Sequence, residues 1–383
     1  MYPNRTSVLA AAALWAAAAT LVAGCGGDSS RTSDAAASPP AGGCPAVLVR
    51  AKEAVERAER TGLSWNGPTT GPEAVPDKVI VYVAQTMTNP GVAGVAKGVR
   101  EAAAAIGWRV RVIDGDGTPA GIQAALSQAV TLKPSGIVIG GFDPLLTAQQ
   151  TARAAAAGIA LIGWHAVDSP GPSTSPRLFT NVTTKVEEVA RVSADWVIAR
   201  SDGNAGVVVF TDDSIPFARN KSELIKRQLA TCPGVTLLAT ENIPIPDASQ
   251  RTPRQVSSLL SRFRSRWTHS VAINDLYFAD AAPALLAAGR PGEGPPFNIG
   301  AGDGDPSAFQ RINSRRFQAA TVPEPLAQQG WQIVDEFNRA FAGRPASGYV
   351  APAHVVTAEN SGGATSWDPR GYQEAYQSIW RGE

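Results

Sequence analysis

Polar and aromatic residues recur in short clusters directly after apolar, strand-like runs. Gln85 and Asn89 follow the first run, Asp143 the third, Trp164 and His165 the fourth, and Phe217 and Lys221 the fifth; Asn274 and Asp303 end two later ones. Such residues can do either of two jobs. An Asn or Asp at a strand end can cap the helix that follows. Grouped across many strand ends, the same residue types can line a common polar cleft that recognises a ligand. Catalysis is the rival reading, with Asp143, His165, Asp212 and Lys221 as acid, base and nucleophile aids. Against it, His165, His269 and His354 are far apart in the chain, and there is no GxSxG elbow, HExxH pair or P-loop. The expectation is a binding protein, with hydrolysis of a small polar substrate as the enzymatic alternative.

Two Asp-Gly-Asp segments, Asp114–Thr118 and Asp303–Asp305, have the look of cation loops. An EF-hand loop needs Gly at its sixth place and a carboxylate at its twelfth, whereas these supply Pro119 with Ala125 and Ala308 with Ser314. Both read as turns, and no metal or cofactor is expected. Gly300-Ala-Gly302-Asp-Gly304 departs from GxGxxG and reads as a strand-to-helix turn.

The elements that must position these residues alternate. Lys78–Ala84 (KVIVYVA) is a β-branched run of strand length, and Val92, Val95, Val99, Ala102 and Ile106 then recur at helical spacing up to Gly107. Strand Trp108–Asp114, a helix from Thr118 to Leu132, strand Gly136–Gly140, helix Leu145–Ala157 and strand Ile159–Gly163 repeat the pattern. After a Pro/Ser-rich loop, Asp168–Pro176, a second series has strands at Ala205–Thr211, Val235–Ala239, Val271–Asn274 and Asn298–Ala301. Strands alternating with single helices imply right-handed βαβ units, parallel sheets and an α/β fold in two Rossmann-like lobes.

Chain length agrees, since 383 residues suffice for two lobes once the ends are set aside. A net charge of +1, without Lys/Arg clusters interleaved with aromatics, argues against nucleic acid as a partner. At the N-terminus, Arg5 precedes an apolar run, Val8–Leu21, that is too short for a comfortable membrane span and reads as a signal peptide over 1–24. Leu21-Val22-Ala23-Gly24-Cys25 resembles the bacterial lipobox, in which Cys25 receives lipid, so the mature protein is expected outside the cytoplasm, anchored to the membrane. Residues 25–43, rich in Gly, Ser, Ala, Asp and Pro, read as a flexible tether, and 44–75 as an N-terminal extension. Cys44 and Cys232 remain, either as a disulfide or as two buried thiols.

Over about residues 76–360 the chain resembles the type I periplasmic sugar-binding proteins, the ribose-binding-like group of ABC-transporter substrate-binding lipoproteins. The resemblance rests on Gln85…Asn89-Pro90-Gly91, Gly136-Ile137-Val138-Ile139, Val271-Ala272-Ile273-Asn274-Asp275, Ile299-Gly300-Ala301-Gly302-Asp303-Gly304, and Ala320–Leu326 with Gln329-Gly330-Trp331. It implies a hinge of three crossovers near Asn181, Glu324 and Val350. The first lobe would then be 76–181 with 325–350, and the second 182–324 with 351–383. It further implies a monomer that closes around a sugar or related polar solute and delivers it to an ABC permease.

Residue by residue, the resemblance makes Asn89 the amide of the first loop, and Asn274 and Asp303 the amide and carboxylate that grip hydroxyls from the second lobe. Lys221 stands where ribose-type proteins carry a binding Arg, and Glu324 where they carry a hinge Gln. The chain departs from the pattern at Gly91 and Val92, where two aromatics are usual, and near Trp164-His165, which replace an Asp-Arg pair. Trp164 is expected to supply the missing stacking face and His165 a hydrogen bond, which points away from ribose itself. A repressor of related fold would need an N-terminal helix-turn-helix where this chain has a signal peptide and tether. Reporting to a receptor or sensor kinase, instead of feeding a permease, stays open as the alternative use.

Overall fold

A computed structural model of the chain describes residues 44–383. The expected signal peptide, the expected lipidation at Cys25 and the expected tether therefore lie outside the described residues. The first described element is α1 (Pro45–Ala58). The first sheet is then built from β1 (Val79–Ala84), α2 (Pro90–Ala105), β2 (Arg109–Asp114), α3 (Pro119–Thr131), β3 (Gly136–Gly140), α4 (Ala148–Ala156), β4 (Ala160–Trp164), β5 (Gly171–Thr174) and β6 (Arg177–Val182). The second follows as α5 (Val186–Arg200), β7 (Ala205–Thr211), α6 (Pro216–Leu229), β8 (Val235–Asn242), α7 (Ala248–Phe263), β9 (His269–Ala272), α8 (Leu276–Ala287), β10 (Phe297–Gly300), α9 (Pro306–Asn313) and β11 (Ala320–Thr321). The chain ends with α10 (Leu326–Phe341), β12 (Val356–Thr357) and α11 (Tyr372–Arg381).

Strand order is β2-β1-β3-β4-β6-β5 in one sheet and β12-β11-β10-β9-β7-β8 in the other. All pairings are parallel except β5 with β6 and β11 with β12. The central strands are continuous apolar runs because helices cover both faces. In the first lobe, Ile80 and Tyr82 pack under α2, α10 and α11, while Val81 and Val83 pack under α3 and α4. Edge strand β2 turns Arg109 and Arg111 to solvent, which discourages pairing with another chain.

Helix starts carry their own chemistry. Pro stands at the first turn of α2, α3, α6 and α9, where its missing N–H costs nothing. Asn89, Thr118 and Asp305 accept backbone N–H bonds as N-caps of α2, α3 and α9.

Several details differ from the expectation. The Pro/Ser-rich loop contains β5, which pairs antiparallel with β6. Pro172 can sit there because β5 is an edge strand, and a four-residue strand without apolar alternation leaves little trace in the sequence. The helix expected from Leu145 begins as a 3₁₀ turn, Pro144–Thr147, and becomes α-helical only at Ala148. Assigning all of 351–383 to the second lobe is corrected by α11. Its Tyr372, Tyr376, Ile379 and Trp380 join the first lobe's core, where Trp380 stacks on Trp331 with centroids 5.5 Å apart and donates to Asp335 at 3.0 Å.

The chain passes between the lobes at 183–185, 322–325 and 342–355, and twice more at 59–78 and 358–371. The two extra passages pair with each other: Trp65 N–H donates to the Arg370 carbonyl at 2.8 Å, and Arg370 N–H to that of Leu63 at 3.1 Å. Helix α1 packs on α5 in the second lobe, and Cys44 just before it is disulfide-bonded to Cys232.

Candidate functional site

The C-terminal ends of the strands in both sheets face one another across a cleft. Its inner part is a cavity of about 50 Å³ lined by Asn89, Gly141, Trp164 and His165 from the first lobe and by Ile215, Phe217, Ala218, Lys221, Ile245, Ile273, Asn274 and Asp303 from the second. By the measure in which one water needs about 10–15 Å³, the space holds only a few waters. The polar residues meet directly. Asn274 Nδ2 donates to Asn89 Oδ1 at 3.3 Å and also to Asp303 Oδ2. Asn89 Oδ1 meanwhile accepts the Gly91 N–H at 3.0 Å, and Asn274 Oδ1 the Leu276 N–H at 2.9 Å. Capping and cleft lining are thus done by the same side chains: Asn274 divides them between Oδ1 and Nδ2, and Asn89 Oδ1 does both.

Close approach of the lobes depends on Gly91. A Cβ there would lie 2.5 Å from the Asp303 carboxyl carbon, so the missing side chain is what lets the second lobe's carboxylate rest on the first turn of α2. The usual aromatic at this position would exclude Asp303. Two cavity residues hold left-handed backbone despite having side chains, His165 at φ 49° and Asp303 at φ 71°. Each such residue costs about 1–2 kcal/mol, which tertiary contacts must outweigh.

Behind the cavity, Glu324 is buried on the 322–325 passage. It accepts from Thr184 Oγ1 at 2.6 Å and from Gln329 Nε2 at 2.6 Å. Gln329 Oε1 in turn accepts the Trp164 indole N–H at 2.7 Å, so one amide ties the passage to the cavity wall. Lys221 Nζ donates to the Ala301 carbonyl at 2.7 Å and lies 5.1 Å from the Phe217 ring centre.

Burial lowers the pKa of His165; Glu324, 3.6 Å away, pulls the other way, and Lys221 adds to the lowering. Burial also opposes charge on Glu324, yet His165, Lys221 and Thr184 hold its carboxyl at about 2. Glu324 is thus a carboxylate, with His165 3.6 Å away, Thr184 and Gln329 donating to it and Lys221 in its field.

Burial pushes Asp303 up to about 8, with Lys221 opposing and Asp275, Asp305 and Glu324 adding. Asp275 braces the loop from behind, accepting from Gly304 N–H at 2.7 Å, Thr321 Oγ1 at 3.1 Å and Gln318 Nε2.

Of the expected site residues, Asn89, Trp164, His165, Phe217, Lys221, Asn274 and Asp303 converge on the cavity. Glu324 stands one layer behind it. Gln85 and Asp143 lie outside this cavity. Gln85 does not line the cavity; its backbone bonds Gly140 and Gly117, and its Oε1 is buried without a partner. Asp143 caps the 3₁₀ turn through Leu145 N–H at 2.8 Å and lines a neighbouring crevice.

The expected free face of Trp164 is also altered, because the His165 ring lies against it, tilted by 38° with centroids 4.2 Å apart. Phe217 meets His165 edge-on at 4.5 Å. Sequence reasoning missed Gly141, Ile215, Ala218, Ile245 and Ile273. Gly141, at φ 84° directly after β3, is the one with a readable signal, a Gly-Gly pair closing an apolar run. Among the described residues no cluster of three or more His, Cys, Asp or Glu could hold a metal ion, and no helix is long and apolar enough to cross a membrane.

Comparison with known proteins supplies the context. A family model described as a periplasmic binding protein domain matches residues 80–345. No curated protein matches the chain. Among solved structures, a sugar ABC transporter protein from Yersinia enterocolitica is similar at 16% identity and TM-score 0.68, covering 82% of this chain and 99% of its own. A solute-binding protein from Burkholderia graminis in complex with D-arabinose is similar at 16% identity and TM-score 0.66, covering 77% and 100%. One from Agrobacterium vitis with bound allitol is 19% identical at TM-score 0.63, covering 74% and 96%. At these identities the likeness establishes the shared fold.

Proposed function

The chain belongs to the periplasmic binding protein domain family, and from that premise we propose that it is an extracytoplasmic solute-binding lipoprotein that closes on a small polar ligand, a sugar or polyol, and delivers it to an ABC permease. The family is one of solute-binding proteins rather than enzymes. The observation that carries the reading is the inter-lobe cluster of Asn89, Asn274 and Asp303, beside Trp164 and Phe217. Amides and carboxyls that bond each other across the cleft can exchange those bonds for a solute's hydroxyls, while the aromatic rings cover its C–H faces. Two structural neighbours support this ligand class, one holding D-arabinose and the other allitol.

Lobe closure about the passages is the working motion, and Gln329, bonded to both Trp164 and Glu324, links it to the site. Anchoring through Cys25 and action as a monomer complete the proposal.

Titrating the purified protein with pentoses, hexoses and polyols by calorimetry tests it. Saturable heat and a rise in melting temperature are expected with at least one compound, and Asn274→Ala or Asp303→Ala should abolish both. Wild-type affinity in those variants would refute the site. Turnover without a stable complex would favour an enzyme.

A further inference from the structure

The cleft continues past the inner cavity. His165, Ile215 and Phe217 line both that cavity and an outer crevice of about 360 Å³, so the two compartments adjoin across the His165–Phe217 contact. One wall of the crevice is Asp143 and Leu145, another is the segment from His165 to Pro176 that includes β5, and the third is Ile215–Phe217 from the opposite lobe. Pro172, Pro176 and Pro216 restrict the backbone of these walls.

The compartments differ in charge. Beside the inner cavity, Lys221 faces Asp303 and Glu324. The outer crevice has Asp143 and Asp168 in its lining and neither Lys nor Arg. Burial raises the pKa of Asp168, Glu187 and Asp143 raise it further, and Arg219 opposes them only in part, so the field in the crevice is negative.

Size points the same way. The inner cavity, at about 50 Å³, is several-fold smaller than the crevice it adjoins, so most of the space between the lobes lies outside the Asn89, Asn274 and Asp303 cluster. Resting on the solute-capture reading above, we propose that the solute is a glycoside of two units. The first unit is gripped at Asn89, Asn274 and Asp303, and the second lies in the outer crevice against Asp143 and Asp168. That second unit is neutral or amino-bearing; an acidic one is disfavoured by the two carboxylates.

The test is calorimetry on the purified protein with matched pairs: glucose and cellobiose, galactose and β-1,4-galactobiose, xylose and xylobiose, then the glucosamine dimer and digalacturonic acid. At least one neutral disaccharide should bind tenfold or more tightly than its own monosaccharide. The glucosamine dimer should exceed cellobiose by about two- to fivefold for each carboxylate, the range of partly exposed ion pairs, and digalacturonic acid should bind weakest. In an Asp143→Asn, Asp168→Asn double variant, which keeps the Oδ1 that caps at Leu145, the amino-to-neutral ratio should fall to near one.

Monosaccharides that bind as tightly as their dimers would overturn this inference while leaving solute capture standing. A ratio unchanged in the double variant would overturn the charge assignment. No binding by any compound would overturn solute capture and this inference together.

Discussion

Replacing Glu324 with Gln probes the link between the passage and the site. The carboxylate accepts from Thr184 on one oxygen and from Gln329 on the other. A Gln at 324 can keep its Oε1 for Gln329 and donate its NH₂ to the Thr184 hydroxyl, which can accept as well as donate, so the change removes the charge more than the bonds. The change also removes one of the negative charges whose field reaches buried Lys221, and hydrogen bonds to a charged group are worth about 1.5–3 kcal/mol.

The pKa gives a second route to the magnitude. A folded value of about 2 against 4.5 for the free group, at 1.36 kcal/mol per unit, makes about 3 kcal/mol. Because the folded pKa lies below the unfolded one, the contribution is whole above pH 4.5 and is lost as pH falls toward 2.

Urea unfolding of wild type and variant should therefore differ by about 2–3 kcal/mol at pH 7, and the gap should narrow steadily below pH 4.5. A variant within about 0.5 kcal/mol of wild type at pH 7, the range of an inert surface change, would refute a stabilising Glu324 carboxylate. A gap independent of pH would refute the assignment of charge to Glu324.

Gly91→Ala should leave each lobe folded and block their contact, because the new Cβ meets Asp303 at 2.5 Å. Solution scattering should show a wider cleft and calorimetry at least a tenfold loss of affinity; wild-type affinity would show that the lobes do not need this contact. Reducing the Cys44–Cys232 bond, or replacing both residues with Ser, should lower unfolding stability by about 2–4 kcal/mol. Equal denaturation midpoints with and without reductant would count against any such role. Cys25→Ser should release the protein from the membrane fraction into the medium, and continued retention there would show that the anchor lies elsewhere.

The sequence by itself determined the alternation of strand and helix, since apolar periods of two and 3.6 residues are local properties that short windows record. It also located the strand ends, and with them Asn89, Lys221, Asn274 and Asp303, because residues that must face a cleft follow the runs that end at it. Caps were legible for the same reason.

What the tertiary structure decided is which of those ends meet. Asn89 and Asn274 stand 185 residues apart, and their bond exists only because two separate sheets close on each other. No local pattern could show that His165 would cover Trp164, that Ile215 and Ile245 would line the cavity, or that Asp143 would fall outside it. The expectation that α11 joins the second lobe failed for a related reason. An amphipathic helix specifies a buried face, and only the packing of α10 and its neighbours supplies the surface that face must meet.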